Sequence, residues 1–275
     1  MKEINKPLIT LIIAVFNGDK TLQECISSIA NQTYSNTELI IIDGGSIDGT
    51  VNLLKTNSRY IDYWISEPDN GIYSAWNKAL MHAKGEWICF LGADDFLWST
   101  SVLEQMSEQL QKLPLYIRIA YGQTMLLNED GQKLYPIGEP WHKIEKRFKH
   151  MMCIPHSGTM HRQSLFKELG FFNESFRIAG DYDLLMRELK MSDAVFIPNL
   201  ITTGMRQGGI SSQPANGLLA MREIRCVQKL HGQRLPGLIW LITMIKVYIR
   251  LLVWRILGQS LTKKLLEIYK GKDLR

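Results

Sequence analysis

The first hundred residues alternate between short aliphatic runs and amphipathic segments, and this alternation limits the chain to few folds. Strand-like apolar runs occupy residues 8–15, 38–43, 60–66 and 86–91, and the first of them is nearly continuously β-branched or aliphatic. Apolar runs of this length are typical of strands covered on both faces. The segments between them, which start at Thr21, at Asp48 or Thr50, and at Ile72, have the character of helices. This order predicts an α/β, Rossmann-like fold with a mostly parallel central sheet flanked by helices.

After residue 98 the elements become shorter and less regular. A helix is predicted over about 100–112, and the composition of residues 128–131 is typical of a turn between antiparallel strands. With 45% hydrophobic and 21% charged residues, the 275-residue chain has ordinary globular composition, which excludes collagen-like, disordered and disulfide-scaffold classes. We expect one domain with two halves and a separate basic helical tail, over residues 1–98, 99–212 and 213–275.

The net charge of +5 is unevenly distributed. Residues 220–275 carry 12 Lys and Arg against 3 Asp and Glu, so the rest of the chain is slightly acidic. A basic segment of this kind predicts an anionic partner. No apolar leader precedes Leu8 and the four cysteines lie far apart, so we expect unpaired thiols and a cytoplasmic location.

Polar residues follow each of the four predicted strands. They are Phe16-Asn17, Asp43, Asp69-Asn70-Gly71 and Asp94-Asp95. In an open α/β sheet, ligands bind beyond the carboxyl ends of the strands. A single Asp at such a position is usually a helix cap, but four successive polar strand ends predict a binding site.

Asp94 and Asp95 are the sharpest local signal at this edge. Two adjacent carboxylates after a buried strand repel each other unless a cation neutralises them. Their oxygen atoms suit Mg²⁺ or Mn²⁺ that arrives with a diphosphate. We therefore predict a metal site at Asp94 and Asp95; the alternative is a helix N-cap for the segment that starts near Ser99.

The motifs of other nucleotide-binding enzymes are missing from the sequence. No Gly-x-Gly-x-x-Gly follows the first strand, and no P-loop motif occurs in the chain. Dinucleotide-dependent dehydrogenases and P-loop enzymes are therefore disfavoured. The first strand also lacks the Gly-rich basic loop expected after it in a sugar nucleotidyltransferase.

Four stretches, taken in order, resemble glycosyltransferase family 2, which has the GT-A architecture. They run from Ile9 to Asn17, from Ile42 to Thr50, from Ser66 to Ala79 and from Phe90 to Asp95. The resemblance implies a nucleotide-sugar half over residues 1–98 and an acceptor half over 99–212. It also implies that the donor is a nucleoside-diphosphate sugar, with uridine favoured as the base.

The resemblance assigns roles to the polar strand ends. Residues that would bind the nucleotide sugar are Phe16, Asn17, Asp43, Asp69, Asn70, Gly71, Asn77, Lys78, Asp95 and Arg206. Asp43 would accept a hydrogen bond from the base, and Asp94 matches the metal-binding carboxylate of the family's Asp-x-Asp signature. Three positions depart from the family pattern. Gly92 stands where the signature has its first carboxylate, Ser74 stands where many relatives have Asp, and Gly180 stands where many members have Glu before the catalytic Asp.

The second half supplies the acceptor side of the predicted site. Asp181 matches the family's general base, and Asp183 follows two residues later on the first turn of a predicted helix. For both, the alternative is a cap that interacts with the helix dipole. His156 has two interpretations. It lies near the acceptor or the diphosphate, as the family resemblance implies, or it is a structural histidine. Arg206 is a cation beside a Gly pair, in a lid that meets the leaving diphosphate or in a plain loop.

These residues together predict an inverting glycosyltransferase that acts by direct displacement onto a lipid-linked or polysaccharide acceptor. Asp181 would take the acceptor proton, and the metal with Arg206 would stabilise the departing diphosphate. The alternatives are a non-catalytic nucleotide-sugar-binding scaffold and, less favoured, a sugar nucleotidyltransferase.

The tail contains a lipid-length apolar run interrupted by cations. Residues 238–257 are mostly aliphatic, but Lys246 and Arg250 lie near the centre. Burial of these two cations in a bilayer would cost about 5–7 kcal/mol, which offsets the favourable insertion free energy of the aliphatic residues. A transmembrane helix is therefore disfavoured. We expect residues 236–275 to lie in the plane of an anionic membrane, on the inner face of the cell membrane, with Trp240 among the headgroups. The alternative is packing on the catalytic domain or in a homo-oligomer; nucleic-acid binding is the weaker interpretation.

Overall fold

The computed structural model describes residues 6–128, 130–209 and 216–272, with side chains described up to residue 256 except at 254. Within them, strands and helices alternate from the start. The first strands are β1 Ile9–Val15, β2 Thr37–Asp43, β3 Tyr63–Ser66 and β4 Trp87–Gly92, and the helices between them are α1 Leu22–Ala30, α2 Thr50–Thr56 and α3 Ile72–Leu80. The third strand is shorter than predicted because Ser58–Tyr60 form a 3-10 turn.

Two strands of the second half, with 9 and 13 residues, are longer than any strand of the first half, so the prediction of shorter elements is wrong for them. The elements of this half alternate less regularly. They are β5 Phe96–Leu97, α4 Val102–Leu110, β6 Ile119–Leu127, β7 Lys133–Ile137, α5 Trp141–Phe148, β8 Met160–Arg162, α6 Gln163–Leu169, α7 Gly180–Glu188 and β9 Ala194–Arg206. Strands β6 and β7 form the antiparallel hairpin expected around residues 128–131.

One mixed sheet of nine strands joins both halves within the described residues. Its order is β3-β2-β1-β4-β8-β6-β9-β5, and β7 pairs with β6 beside this path. Strands β1 to β4 are mutually parallel, β8 runs antiparallel to β4, and β6 and β9 again run with β4. The predicted α/β class with a mostly parallel central sheet is therefore confirmed.

The aliphatic runs form the centre of the core. Ile9, Leu11 and Ile13 of β1 are fully buried in a cluster that includes residues of α1 and α4. Full burial of one such side chain contributes about 1.5–3 kcal/mol, so the central strand is stabilised strongly from its covered faces. This rigid centre fixes the ends of β1, β2 and β4, where the polar residues lie.

The Cα positions separate the chain into two compact units, one that ends at Gln207 and one that begins at Gly208. The predicted domain boundary between 212 and 213 lies outside the described residues. The second unit contains α8 Gly217–Leu230 and α9 Leu238–Lys272. Trp240 Nε1 donates to the carbonyl of Met221 at 3.0 Å, so Trp240 takes part in the contact between these helices. Its position among lipid headgroups stays a prediction. In the described residues, no helix combines the length and hydropathy that a membrane span requires.

Candidate active site

The strand register brings the predicted polar ends to one edge of the sheet. Val15 pairs with Asp43, Asp43 pairs with Ser66, and Ala14 pairs with Gly92. At the other side of the sheet, Leu127 is level with Arg206. The loops that follow these residues therefore start at a common edge, as ligand sites in open α/β sheets require.

Asp43 organises the loop that follows β2. Its carboxylate is fully buried and accepts hydrogen bonds from Ser46 N at 3.0 Å and Ser66 Oγ at 2.5 Å, and the Ser46 hydroxyl also donates to it. In this arrangement the carboxylate presents no oxygen to solvent. The predicted bond from Asp43 to a nucleotide base stays a prediction, and it requires Ser46 to release the carboxylate.

Phe16 and Asn17 lie at the mouth of this loop. Phe16 is 65% exposed, which leaves a large ring available to stack on a ligand. Asn17 has a positive φ of 52°, a conformation that Asn tolerates better than most residues. Its backbone N–H donates to Ser46 Oγ at 2.7 Å, and its side-chain oxygen accepts from Ile47 N at 3.0 Å. Asn17 and Asp43 therefore meet at Ser46.

The loop of Asp69, Asn70 and Gly71 closes against the Asp43 loop. Asp69 Oδ1 accepts the Gly71 N–H at 2.8 Å. A Cβ atom on Gly44 would lie 2.8 Å from Asp69 Oδ2, so only glycine at position 44 admits this approach. Gly71 has φ +113° and precedes α3, a backbone conformation that favours glycine. The loop after Asp43 is thus brought against the loop of Asp69, Asn70 and Gly71, which is called the donor loop below.

Asn77 and Lys78 support this region from α3. Lys78 Nζ lies 2.7 Å from Glu67 Oε1 and 3.3 Å from the Pro68 carbonyl, so it holds the start of the donor loop. Asn77 exchanges two hydrogen bonds with the backbone of Phe172, at 2.9 and 3.0 Å. The structure thus gives both side chains partners behind the loop of Asp69, Asn70 and Gly71, where the family resemblance places them, and their role in nucleotide-sugar binding stays a prediction.

Asp94 and Asp95 converge over the backbone of Gly92. A Cβ atom on Gly92 would lie 2.7 Å from Asp94 Oδ1 and 3.0 Å from Asp95 Oδ2. Asp95 is buried and accepts the Gly92 N–H at 3.2 Å, whereas Asp94 is half-buried. Burial, with the neighbouring Asp94, raises the pKa of Asp95 to about 7. Asp94 is therefore the more accessible ligand of the predicted metal pair.

The residues present fit a divalent cation. Two carboxylates that approach each other closely are stabilised by a positive charge between them. Within the part of the chain that the structure describes, no group of three or more His, Cys, Asp or Glu side chains is placed to hold a metal. Two protein carboxylates leave room for diphosphate oxygens, as is usual for Mg²⁺ that is bound with a nucleotide.

Arg206, the last residue of β9, lies against the same loop. Its guanidinium donates to the Asp94 carbonyl at 2.8 Å and to Glu24 Oε2 at 2.6 Å, and it covers the Phe96 ring at 5.4 Å. These contacts place a cation beside the predicted metal pair, with Glu24 balancing part of its charge. The sequence contained no signal for Glu24, which lies on α1.

Asp181 lies in the first turn of α7 and is half-buried. Its Oδ1 accepts the Tyr182 N–H at 2.8 Å and lies 3.2 Å from the Tyr73 hydroxyl. Since Tyr73 is the second residue of α3, this contact joins the predicted base to the helix that follows the donor loop. Sequence reasoning assigned no role to Tyr73.

Asp183 and His156 have surroundings that favour structural roles over the predicted acceptor roles. Asp183 is buried and pairs with Arg187, with Nε and Oδ2 3.2 Å apart, and Arg187 in turn binds backbone carbonyls of the 169–171 loop. His156 stacks on Trp76 and Phe90 with ring centroids 5.0 and 5.4 Å away. Burial holds the pKa of His156 well below its usual range, so its ring is neutral.

This fold and site define a GT-A glycosyltransferase. Residues 10–170 match the family model described as glycosyl transferase family 2. A glycosyltransferase of *Rickettsia typhi* is 32% identical over 197 residues, which cover 69% of this chain and 61% of that protein. A PGL/p-HBAD biosynthesis glycosyltransferase of *Mycobacterium tuberculosis* is 30% identical over 186 residues, 66% of this chain and 69% of that one. The chain belongs to glycosyl transferase family 2.

Solved structures share the architecture at low identity. *S. aureus* TarS residues 1–349 in complex with UDP-GlcNAc superposes with a TM-score of 0.63 at 17% identity, over 80% of this chain and 66% of that one. The mannosyltransferase PcManGT of Pyrobaculum calidifontis, in complex with GDP-Man and Mn²⁺, superposes with a TM-score of 0.59 at 14% identity. The match covers 98% of this chain and 81% of that one. The predicted GT-A fold is confirmed.

Proposed function

We propose that the chain transfers a sugar, with inversion, from a nucleoside-diphosphate donor to a lipid-linked or polysaccharide acceptor. The observation that carries the proposal is the contact between Tyr73 and Asp181, because it joins a carboxylate base to the helix that begins at the donor loop. A uridine donor is favoured by the family resemblance and by the UDP-GlcNAc in the TarS complex.

Asp181 acts as the general base in this proposal. It accepts the proton of the acceptor hydroxyl while that oxygen attacks the anomeric carbon from the face opposite the leaving group. The bond from the anomeric carbon to the diphosphate oxygen breaks in the same step. A single displacement of this kind inverts the anomeric centre and requires no covalent nucleophile on the enzyme.

Asp94, with Asp95 behind it, would hold Mg²⁺ or Mn²⁺. When bound, the ion neutralises charge on the diphosphate and stabilises it as a leaving group. Arg206 adds a cation at the Asp94 carbonyl. Phe16 and Asn17 would contact the nucleotide, and the loop of Asp69, Asn70 and Gly71 would lie beside the ribose and diphosphate.

A donor screen tests this function. The full chain is titrated with UDP-, GDP- and dTDP-sugars with and without Mn²⁺, and release of nucleoside diphosphate is measured with membrane extract as the acceptor source. We expect binding of one donor class and extract-dependent release of its diphosphate. Binding without release in any extract would favour the scaffold alternative, and release of pyrophosphate would favour a nucleotidyltransferase.

We further infer that α9 binds the surface of an anionic membrane. Its outer face carries an aliphatic stripe in which the residues are spaced alternately by four and three positions. The stripe comprises Leu238, Ile242, Ile245, Ile249, Leu252 and Ile256, which are between 45% and 72% exposed. Such a stripe is larger than the scattered apolar residues of an ordinary surface.

The charges beside the stripe favour lipid over a second copy of the chain as its partner. Lys246, Arg250 and Arg255 are exposed and flank it, and the sequence has no acidic residue between Glu223 and Glu267. Pairing of two such stripes would bring cations together, which is unfavourable. Anionic headgroups would instead neutralise them. We propose a peripheral location on the inner face of the cell membrane, near a lipid-linked acceptor.

A further inference from the structure

Tyr73 lies between the donor loop and the proposed base. It follows Gly71 by two residues, and its side chain is only 3% exposed. The hydroxyl oxygen is 2.6 Å from the carbonyl oxygen of Ile178 and 3.2 Å from Asp181 Oδ1. The ring packs on Trp76 and Phe172, each with a centroid distance of 5.5 Å. Packing of the ring therefore fixes the position of the hydroxyl.

One hydroxyl hydrogen faces two acceptors at this point. A phenol has one O–H donor and also accepts hydrogen bonds, so it can donate to only one of these oxygens at a time. Burial and the nearby Asp181 raise the pKa of Tyr73 well above its usual value, so the phenol keeps its hydrogen. The choice of acceptor then depends on the charge of Asp181.

Gly180 makes this contact sterically feasible. A Cβ atom at position 180 would lie 2.8–2.9 Å from three atoms of the Tyr73 ring, closer than side chains tolerate. Many members of the family that the sequence resembles have Glu at this position, so Gly180 is a departure from the pattern, and its physical reason is steric. The Tyr73 ring occupies the space that a side chain at 180 would need.

We propose that Tyr73 is a positioning residue for Asp181 and links the donor loop to the orientation of the base. This inference rests on the proposed function of Asp181. Before transfer, the Tyr73 hydroxyl donates to the Asp181 carboxylate. After transfer, the proton from the acceptor hydroxyl resides on Asp181, which can donate to the Tyr73 oxygen while Tyr73 donates to the Ile178 carbonyl. Tyr73 keeps its own hydrogen in both states.

The substitution Tyr73→Phe tests the role of the hydroxyl. It retains the ring that packs on Gly180 and removes only the oxygen. We expect kcat to fall about tenfold to a hundredfold, the range for loss of one hydrogen bond to a charged group, with the donor KM within about twofold. Steady-state kinetics with the donor identified by the screen provide both values.

Tyr121→Phe is the matched control. Tyr121 is equally buried, and its hydroxyl donates to the Glu139 carbonyl at 2.7 Å, so this variant loses a similar hydrogen bond away from Asp181. We expect both variants to lose similar stability in urea unfolding, but only Tyr73→Phe to lose kcat. Equal loss of kcat in the two variants would mean a structural role and would overturn the inference.

A double-mutant cycle with Asp181→Asn separates this inference from the proposed function. If Tyr73 acts through Asp181, Tyr73→Phe causes no further loss of kcat in the Asp181→Asn background. Multiplicative losses, or a normal kcat in Tyr73→Phe alone, would overturn the role of Tyr73 while leaving the base assignment intact. Near-normal turnover of Asp181→Asn alone would instead overturn the base assignment, and the inference with it.

Discussion

Two glycines at the candidate site leave space for the side chains of other residues. At Gly92, the space is taken by the carboxylates of Asp94 and Asp95, and at Gly180 by the ring of Tyr73. The family resemblance has acidic residues at both positions. At each position, the space that a side chain would need is occupied by another side chain. Asp95 lies where a carboxylate at position 92 would project.

The base assignment leads to a prediction at a single residue. Asp181→Asn keeps the shape of the side chain but cannot accept a proton, so we expect kcat to fall about 10²- to 10⁴-fold. The Kd of the nucleotide sugar, measured by calorimetry, should stay within about threefold because Asp181 is assigned to the acceptor side. Turnover within tenfold of wild type would contradict the assignment.

The metal pair leads to a second prediction. Asp94→Ala removes the more accessible carboxylate, so we expect loss of transfer and loss of the Mn²⁺ dependence of donor binding. Asp130→Asn is the control, because it changes one exposed Asp at the β6–β7 turn. The Mn²⁺ titration of nucleotide binding measures both variants. An unchanged titration for Asp94→Ala would refute the metal site at this residue.

At the scale of elements, α3 connects more of the site than any motif indicated. It begins after the donor loop, Tyr73 contacts Asp181, Asn77 binds the Phe172 backbone, and Lys78 binds Glu67. The sequence predicted the helix correctly from its periodicity and from the turn before it. The partners of Tyr73 and Asn77 lie 108 and 95 residues away in the chain, so no local pattern could identify them.

Helix α9 provides the prediction at this scale. Replacement of Lys246 and Arg250 by Gln should weaken binding to vesicles with anionic lipid by about 2 kcal/mol, roughly 30-fold, at low salt. Ile245→Gln with Ile249→Gln should weaken it at both low and high salt, because the aliphatic contribution is not screened. Vesicle flotation with neutral and anionic lipid measures the effect.

The controls for α9 use charge changes elsewhere and the oligomeric state. Lys55→Gln with Lys112→Gln removes the same charge from exposed positions on the first unit and should leave flotation unchanged. Sedimentation equilibrium without vesicles measures whether the chain forms a dimer. A dimer that the isoleucine variant abolishes, together with no vesicle binding by wild type, would assign the stripe to self-association.

At the scale of the whole molecule, an aromatic and histidine cluster lies where the two halves of the catalytic unit meet. Phe90 of β4 contacts Trp76 of α3, His156 and His161 of the second half, and Phe172. His161 is fully buried, and burial lowers its pKa to about 4. The cluster therefore joins the halves with groups that resist protonation.

This cluster predicts a loss of stability in mild acid. The unfolded chain protonates its histidines near pH 6.5, whereas folded His161 does so only near pH 4, so stability is lost as the pH falls through this window. The contribution of His161 is about 2 kcal/mol between pH 7 and pH 5. Urea unfolding at several pH values measures the slope. His161→Phe should reduce the slope, while His142→Gln, at an exposed position, should not.

The sequence by itself determined the order of elements, the mostly parallel sheet and the edge at which the polar residues meet. Those features follow from local periodicity and from the geometry of parallel strands, so short stretches of chain encode them. Only the tertiary structure decided which partners the candidate site residues have. It enclosed Asp43 with serines, paired Asp183 with Arg187, stacked His156 in the aromatic cluster and brought Tyr73 to Asp181. The Asp183–Arg187 pair is local to one helix, but the contacts of Tyr73 and His156 depend on packing between distant segments, which no single stretch of sequence specifies.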